Sequence, residues 1–243
     1  MKTLAVIPAR MASTRFPGKP LANIQGIPMV VRVAIQAKQA NRIDDVVVAT
    51  DDETILRVVQ EYGHNALLTS TDHRSGFDRL VETSIKLPGY GAYINVQGDE
   101  PLIDPGVIDS VTSLLSNPGC SISTSAIQIQ NQEDYLNPNV VKVVFDSTKK
   151  ALYFSRSPIP HYRDKFAEKE KPWKHQGIYG FRSEVLPELS RLEPSTLEMV
   201  ESLEQLRFLQ NGFSICVTST DKESIGVDIP ADIEKVIQAL SES

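Results

Sequence analysis

The 243 residues are 41% hydrophobic and 23% charged, with 13 Gly and 15 Pro, values of an ordinary globular chain long enough to bury a core without disulfides or metals. The 25 basic and 31 acidic residues leave a net charge of −6, which argues against general nucleic-acid binding. The longest charge-free stretch, Ser110 to Gln132, is rich in Ser, Asn and Gln and broken by Pro118-Gly119, so no membrane span is expected.

In chain order, Leu4–Pro8 reads as a buried strand, Met29–Ala40 as a helix and Asp45–Thr50 as a second buried strand. Glu53–Tyr62 follows as a helix, Ala66–Leu68 as a short strand, Ser75–Lys86 as a helix and Ala92–Gln97 as another buried strand. Pro105–Leu115 reads as a helix with Asp104 as N-cap and Pro105 at the first helical position. Apolar strands alternating with helices of this length predict βαβ units and an α/β fold with a mostly parallel sheet. After Cys120 the texture changes: Ser121–Ile129, Val140–Phe145, Ala151–Phe154 and Gly177–Phe181 all read as strands. Helix then returns at the capping box Ser195-x-x-Glu198, with Gly212 as its expected end, followed by a strand at Ile215–Thr218 and a helix at Pro230–Leu240. The expectation is one domain over residues 1–243, with a β-rich insertion at about 120–180 that could form a second lobe, a dimer face or both.

Charge is distributed unevenly. Residues 1–43 hold no Asp or Glu and seven basic residues, which points that segment at an anion. Three of the seven, Arg10, Arg15 and Lys19, fall in Pro8–Pro20, a loop of small residues after the first strand. The carboxyl end of a strand is where an open α/β sheet binds ligands, and small residues let backbone N–H groups approach phosphate oxygens. The loop matches neither G-x-x-x-x-G-K-[ST] nor G-x-G-x-x-G. Asn95-Val96-Gln97-Gly98-Asp99-Glu100-Pro101 runs a buried strand into an acidic pair suited to holding Mg²⁺ against phosphates, and Asp228 in Gly226–Asp232 offers a second carboxylate. The two cysteines, Cys120 and Cys216, are far apart in sequence and lie in no C-x-x-C pattern, and the N-terminal apolar run is too short for a signal-peptide core. A cytoplasmic location is expected.

These segments resemble the CTP-dependent sugar-acid cytidylyltransferases, and within them the 3-deoxy-manno-octulosonate (CMP-Kdo) group. The resemblance runs the length of the chain and is carried by I-P-A-R-x-x-S-T-R-x-P-G-K-P (7–20), V-A-T-D (48–51), N-V-Q-G-D-E-P (95–101), N-P-N-x-V-K-V-V (137–144), A-L-Y-F-S-R-S-P-I-P (151–160), H-x-G-I-Y-G-F-R (175–182), L-E-Q-L-R (203–207) and G-V-D-x-P-x-D (226–232). It implies a nucleotide-binding, Rossmann-like sheet and transfer of CMP from CTP to the anomeric hydroxyl of the sugar acid, with release of pyrophosphate, for lipopolysaccharide synthesis. By the same resemblance Arg10, Ser13, Arg15 and Lys19 bind the CTP phosphates, and Asp72 and Ser75 lie near cytidine. Asp99 and Asp228 hold Mg²⁺. Gln97, Arg156, His175, Tyr179, Glu204 and Gln205 line the sugar pocket, and the protein is a homodimer.

The sequence departs from the family pattern in two places. Where the family has S-G-T-E-R this chain has Ser75-Gly76-Phe77-Asp78-Arg79, and Gln176 replaces an apolar residue after His175. A shortened carboxylate and a new amide suit an ammonium, so Phe77, Asp78 and Gln176 predict preference for the 8-amino-8-deoxy sugar acid over the 8-hydroxy form. Packing for Phe77 and helix capping for Asp78 are the competing roles. The competing functions are a CMP-sialate synthetase, which the full motif set disfavours, and a non-catalytic nucleotide sensor, which would have no use for both Asp99 and Asp228.

Overall fold

The computed structural model describes residues 1–12, 15–166 and 170–241. The first half alternates as expected: β1 (Thr3–Ala9), the short strands β2 (Asn23–Ile24) and β3 (Ile27–Pro28), α1 (Met29–Lys38), β4 (Asp45–Thr50), α2 (Glu53–Glu61), β5 (Asn65–Leu68), α3 (Gly76–Lys86), β6 (Ala92–Asn95) and α4 (Pro105–Leu114). Helix starts follow the local chemistry. The Asp52 carboxylate accepts from the Thr54 and Ile55 N–H groups, Asp104 accepts from Gly106 N–H, and Ser75 and Asp78 form a reciprocal capping box.

The second half adds β7 (Ile122–Gln128), α5 (Gln132–Leu136), β8 (Lys142–Phe145), β9 (Ala151–Ser155), β10 (Trp173–Arg182), α6 (Leu186–Leu189), α7 (Thr196–Glu201), α8 (Gln205–Gln210), β11 (Ile215–Thr220) and α9 (Asp232–Ser241). The helix opened by the Ser195–Glu198 capping box does not run to Gly212. It stops at Ser202, whose left-handed backbone (φ 52°) breaks the run, and α8 starts afresh. Gly212 follows that second helix.

Among the described residues the strands form a nine-stranded sheet in the order β11-β7-β10-β6-β1-β4-β5, with β8 pairing both β10 and β9. Pairs β1/β4, β1/β6, β4/β5 and β7/β11 are parallel, whereas β10 runs antiparallel to β6 and β7. The strands of the 120–180 segment are therefore continuous with this sheet: β10 and β7 stand between β6 and the edge strand β11, and β8 and β9 extend from the Trp173 end of β10. One face is covered by α1, α2 and α4 through Val30, Ala34, Ile55, Val107 and Val111. The other is covered by α3 and α8 through Phe77, Leu80, Leu206 and Phe208. No described helix is long and apolar enough to cross a membrane.

Candidate active site

The carboxyl ends of β1 and β6 meet at one place. A Cβ on Gly98 would come within 2.5 Å of the Pro8 carbonyl oxygen, so only glycine lets the chain after β6 lie this close to the start of the cationic loop. The segment before α9 joins them through the Val227 N–H, which donates to the Asp99 carbonyl at 2.9 Å. Three stretches distant in sequence thus converge, and each brings charge. Lys19 Nζ donates to Asp99 Oδ2 at 2.6 Å and to the Val227 carbonyl at 3.0 Å. Arg15 Nη2 donates to Asp228 Oδ1 at 2.9 Å. The two ion pairs differ in shielding: the Lys19 side chain is 15% exposed, whereas Arg15 and Asp228 are 66% and 60% exposed. Water screens the outer pair, so it contributes little and its partners exchange easily.

These pairs border a cavity of about 700 Å³ that Arg10, Ser75 and Gln97 also line. Three basic residues on its wall have no place in the sequence reading: His73, Arg74 and Arg79. Arg79 is 3% exposed and is held by Asp51 (2.8 Å) and Thr69 (2.5 Å). His73 Nε2 meets the Glu82 carboxylate. Although burial opposes ionisation of Glu82, Lys86, the Ser70 N–H and His73 hold its carboxyl down to about 2. The acidic pair after β6 divides: Asp99 faces the cavity, while burial and the Asp99 charge push Glu100 up to about 7. Glu100 carries no sequence signal that would separate it from Asp99.

Of the residues that the resemblance assigns to the sugar acid, several gather beside Gln97. Its Nε2 donates to the Gly177 carbonyl at 2.8 Å, which anchors the cavity wall to β10. The register of β10 against β7 shifts between Gln176 and Tyr179, and such a bulge re-aims the flanking side chains. His175 lies 3.0 Å from the Thr124 hydroxyl and packs between the rings of Phe154 and Tyr179. Burial lowers its pKa to about 3, so the imidazole is neutral. The Tyr179 hydroxyl and Glu204 Oε1 are buried without a hydrogen-bond partner among the described residues. Burial, then the Glu204 charge, raises the Tyr179 phenol well above its usual range; burial also raises Glu204, against the Ser75 hydroxyl. Gln205 is buried at the start of α8.

His175, Tyr179, Glu204 and Gln205 do not themselves line the cavity, and neither does Arg156. The Arg156 guanidinium is engaged by main-chain carbonyls, with Nε donating to Glu201 O at 2.8 Å and Nη1 to Pro138 O at 3.1 Å. Asp72 is exposed and does not line the cavity. Ser13 lies outside the described residues.

The three expected specificity residues are not among those that line the cavity. Phe77 is 2% exposed, with its ring 5.1 Å from both Phe181 and Phe208, a core position. Asp78 Oδ2 accepts from the Ser75 N–H at 3.1 Å, so the carboxylate caps α3. Gln176 is buried, accepting from Ser125 Oγ at 2.7 Å and donating to the Lys222 carbonyl at 2.8 Å, which leaves its amide occupied.

Comparison with known proteins identifies the family. Residues 4–225 match the family model described as cytidylyltransferase. The chain is 47% identical over 252 residues to the 3-deoxy-manno-octulosonate cytidylyltransferase of Geotalea daltonii, covering 100% of this chain and 99% of that protein. It is 48% identical to the protein of the same name from Polynucleobacter necessarius, with 99% and 96% covered. A solved structure of CMP:2-keto-3-deoxy-manno-octonic acid synthetase complexed with CTP superimposes with a TM-score of 0.94 at 42% identity, covering 100% of this chain and 99% of that one. A 4-diphosphocytidyl-2C-methyl-D-erythritol synthase from Anaerococcus prevotii, 14% identical with a TM-score of 0.65, shares the fold.

Proposed function

From the premise that the chain belongs to the 3-deoxy-manno-octulosonate cytidylyltransferase family, we infer how its site activates the sugar acid. The reaction transfers CMP from CTP to the anomeric hydroxyl of the octulosonate, releases pyrophosphate, and supplies the activated sugar for lipopolysaccharide. The supporting observation is the convergence of Arg15, Lys19, Asp99 and Asp228 on one cavity beside Gln97. Both substrates are anions, so a productive site must bring cations to each and hold the reacting atoms in line.

Arg10, Arg15 and Lys19 bind the triphosphate, Arg15 and Lys19 leaving their carboxylate partners to do so. Gln97, His175, Tyr179 and Glu204 hold the sugar acid. Its anomeric oxygen attacks the α-phosphorus, the bond to the bridging oxygen breaks, and the loop cations neutralise the departing pyrophosphate. No cluster of three or more His, Cys, Asp or Glu suited to a metal occurs among the described residues. Two carboxylates facing a cavity that receives phosphates nevertheless fit Mg²⁺, which takes one or two carboxylates and fills its shell with water and phosphate oxygens. Asp99 and Asp228 would hold it, and when bound it supplies positive charge to the phosphates.

The octulosonate is proposed in its 8-hydroxy or 8-amino-8-deoxy form; Phe77, Asp78 and Gln176 are engaged by packing, capping and internal hydrogen bonds and do not separate the two. We further propose a homodimer: among the described residues β9 pairs only with β8, and Leu152 on it is 62% exposed. The reaction is assigned to the cytoplasm, where CTP is made. Pyrophosphate release with CTP, Mg²⁺ and a panel of octulosonate, 8-amino-octulosonate and sialic acids tests the reading. Turnover with the octulosonate is expected, and silence across the panel overturns it. A monomeric mass at micromolar concentration would remove the dimer.

A further inference from the structure

Four buried side-chain oxygens lack a hydrogen-bond partner among the described residues: Asn95 Oδ1, Tyr179 Oη, Glu204 Oε1 and Ser224 Oγ. An unpaired buried acceptor costs roughly 1–3 kcal/mol, so each calls for a physical reason. Three of the four belong to one neighbourhood. Asn95 and Tyr179 are directly opposed in the β6/β10 register, and the Glu204 charge acts on the Tyr179 phenol. Tyr179 and Glu204 are accounted for by the sugar acid. Asn95 is not: neither spacing nor family resemblance singles it out as a site residue.

The surroundings of Asn95 bring it to the same ligand. It ends β6, is 5% exposed, and is two residues before Gln97 on the cavity wall. A Cβ built on Gly76 would lie 3.6 Å from Asn95 Nδ2 and 3.1 Å from Pro8 Cγ, and both Gly76 and Pro8 line the cavity. A side-chain amide in a buried strand ordinarily finds a backbone or side-chain partner on folding. Here the neighbours across the sheet are the main chain of Val6, already engaged in the ladder, and Tyr179, itself unpaired.

We infer that Asn95 is a further sugar-binding residue, its amide exchanging a hydrogen bond with a hydroxyl of the octulosonate beside Tyr179 and Glu204. This rests on the functional reading above. It makes the inner wall of the subsite a product of β6 as well as β10 and α8. It also explains why a polar residue is kept where an apolar one of equal volume would fold at least as well, since the amide acquires its partner only when substrate is bound.

The test compares wild-type protein with Asn95→Leu and Asn95→Ala in pyrophosphate release and thermal unfolding. The expected result is a rise of about tenfold or more in KM for the octulosonate, with KM for CTP within about twofold. Melting temperature is expected to be unchanged or higher for Asn95→Leu. If Leu does not fold, Asn95→Ala is expected to show the same split between the two substrates. An unchanged sugar KM in a folded variant, or a rise in the CTP KM instead, overturns the inference. Absence of wild-type turnover would count against the functional reading itself, whereas wild-type turnover with an unchanged sugar KM in the variants would remove Asn95 alone.

Discussion

The proposed phosphate end and the proposed sugar end of this site are prepared for ligand in opposite ways. At the phosphate end two of the three loop cations already have carboxylate partners: Lys19 has Asp99 and Arg15 has Asp228. At the sugar end Asn95 Oδ1, Tyr179 Oη and Glu204 Oε1 are buried with no hydrogen-bond partner among the described residues. Charges in a partly wet mouth can exchange one partner for another at small cost, because water screens the intermediate arrangements. Polar atoms under a packed aromatic wall have no such intermediates. They are fixed in place and their cost is carried by the folded protein until a ligand arrives. Mutations at the two ends should therefore fail differently, with lost turnover at one and changed stability and sugar affinity at the other.

The largest effect is expected at the phosphate end. Asp99→Asn and Asp228→Asn should each lower kcat by about a hundredfold or more while the protein unfolds at nearly the wild-type temperature. Arg10→Ala and Lys19→Ala should likewise lower kcat more than they raise KM for CTP, because charge builds on the leaving pyrophosphate only in the transition state. Initial rates over a matrix of CTP and Mg²⁺ concentrations check both. Near-normal rates for either Asn variant at saturating Mg²⁺ would take that carboxylate out of the metal site.

A smaller effect, this time on stability, is expected at the sugar end. His175 has its pKa lowered by burial from 6.5 to about 3. Its folded pKa is below the unfolded one, so the unfolded chain binds the extra proton, and stability falls as pH drops from about 6.5 towards 3. His175→Gln should flatten that fall. His64, also lowered by burial, contributes in both proteins, so the difference between their urea-denaturation profiles isolates His175. Parallel profiles would mean that His175 is solvated and titrates normally. Glu82 supplies a separate acid-sensitive contribution: its carboxyl is held at about 2 rather than 4.5, so its stabilisation is lost only between those values as pH falls.

The two ends were also unequally legible in the sequence. The phosphate end could be read from residue type and position, because cations without acids after a first strand have few structural uses. Parallel strands such as Asp45–Thr50 were legible to the residue, their apolar runs being bounded by polar turns. The sugar end was legible only through family resemblance. Nothing local distinguishes Glu204 or Gln205 from solvated helix residues, or Asn95 and Arg79 from any polar residue in an element; their burial is set by strands and helices distant in sequence. The same cause misplaced the helix after Ser195. A capping box and a terminal glycine mark the outer ends, but the break at Ser202 is left-handed backbone at a residue with no strong preference for it.

The smallest effect on selectivity is expected where the sequence promised the most. Phe77 does not touch the cavity, but neither is it remote: its ring packs on Phe181 at 5.1 Å, and Phe181 stacks on Tyr179 at 6.0 Å. Phe77→Thr removes most of a buried ring and should cost about 3 kcal/mol of stability. Asp78→Glu should be near neutral, since glutamate serves the third position of a capping box at least as well. In the double variant Phe181 can relax into the space left behind, and Tyr179 with it, which would weaken binding of any octulosonate. That loss falls on contacts common to the 8-hydroxy and 8-amino acids. The ratio of their kcat/KM values should therefore stay within about twofold of wild type even as both values drop. A tenfold shift in the ratio towards the 8-hydroxy acid would show that packing behind Tyr179 sets the room for the sugar's tail, and the division between a wet, exchangeable end and a rigid one would then extend into the core beneath α3.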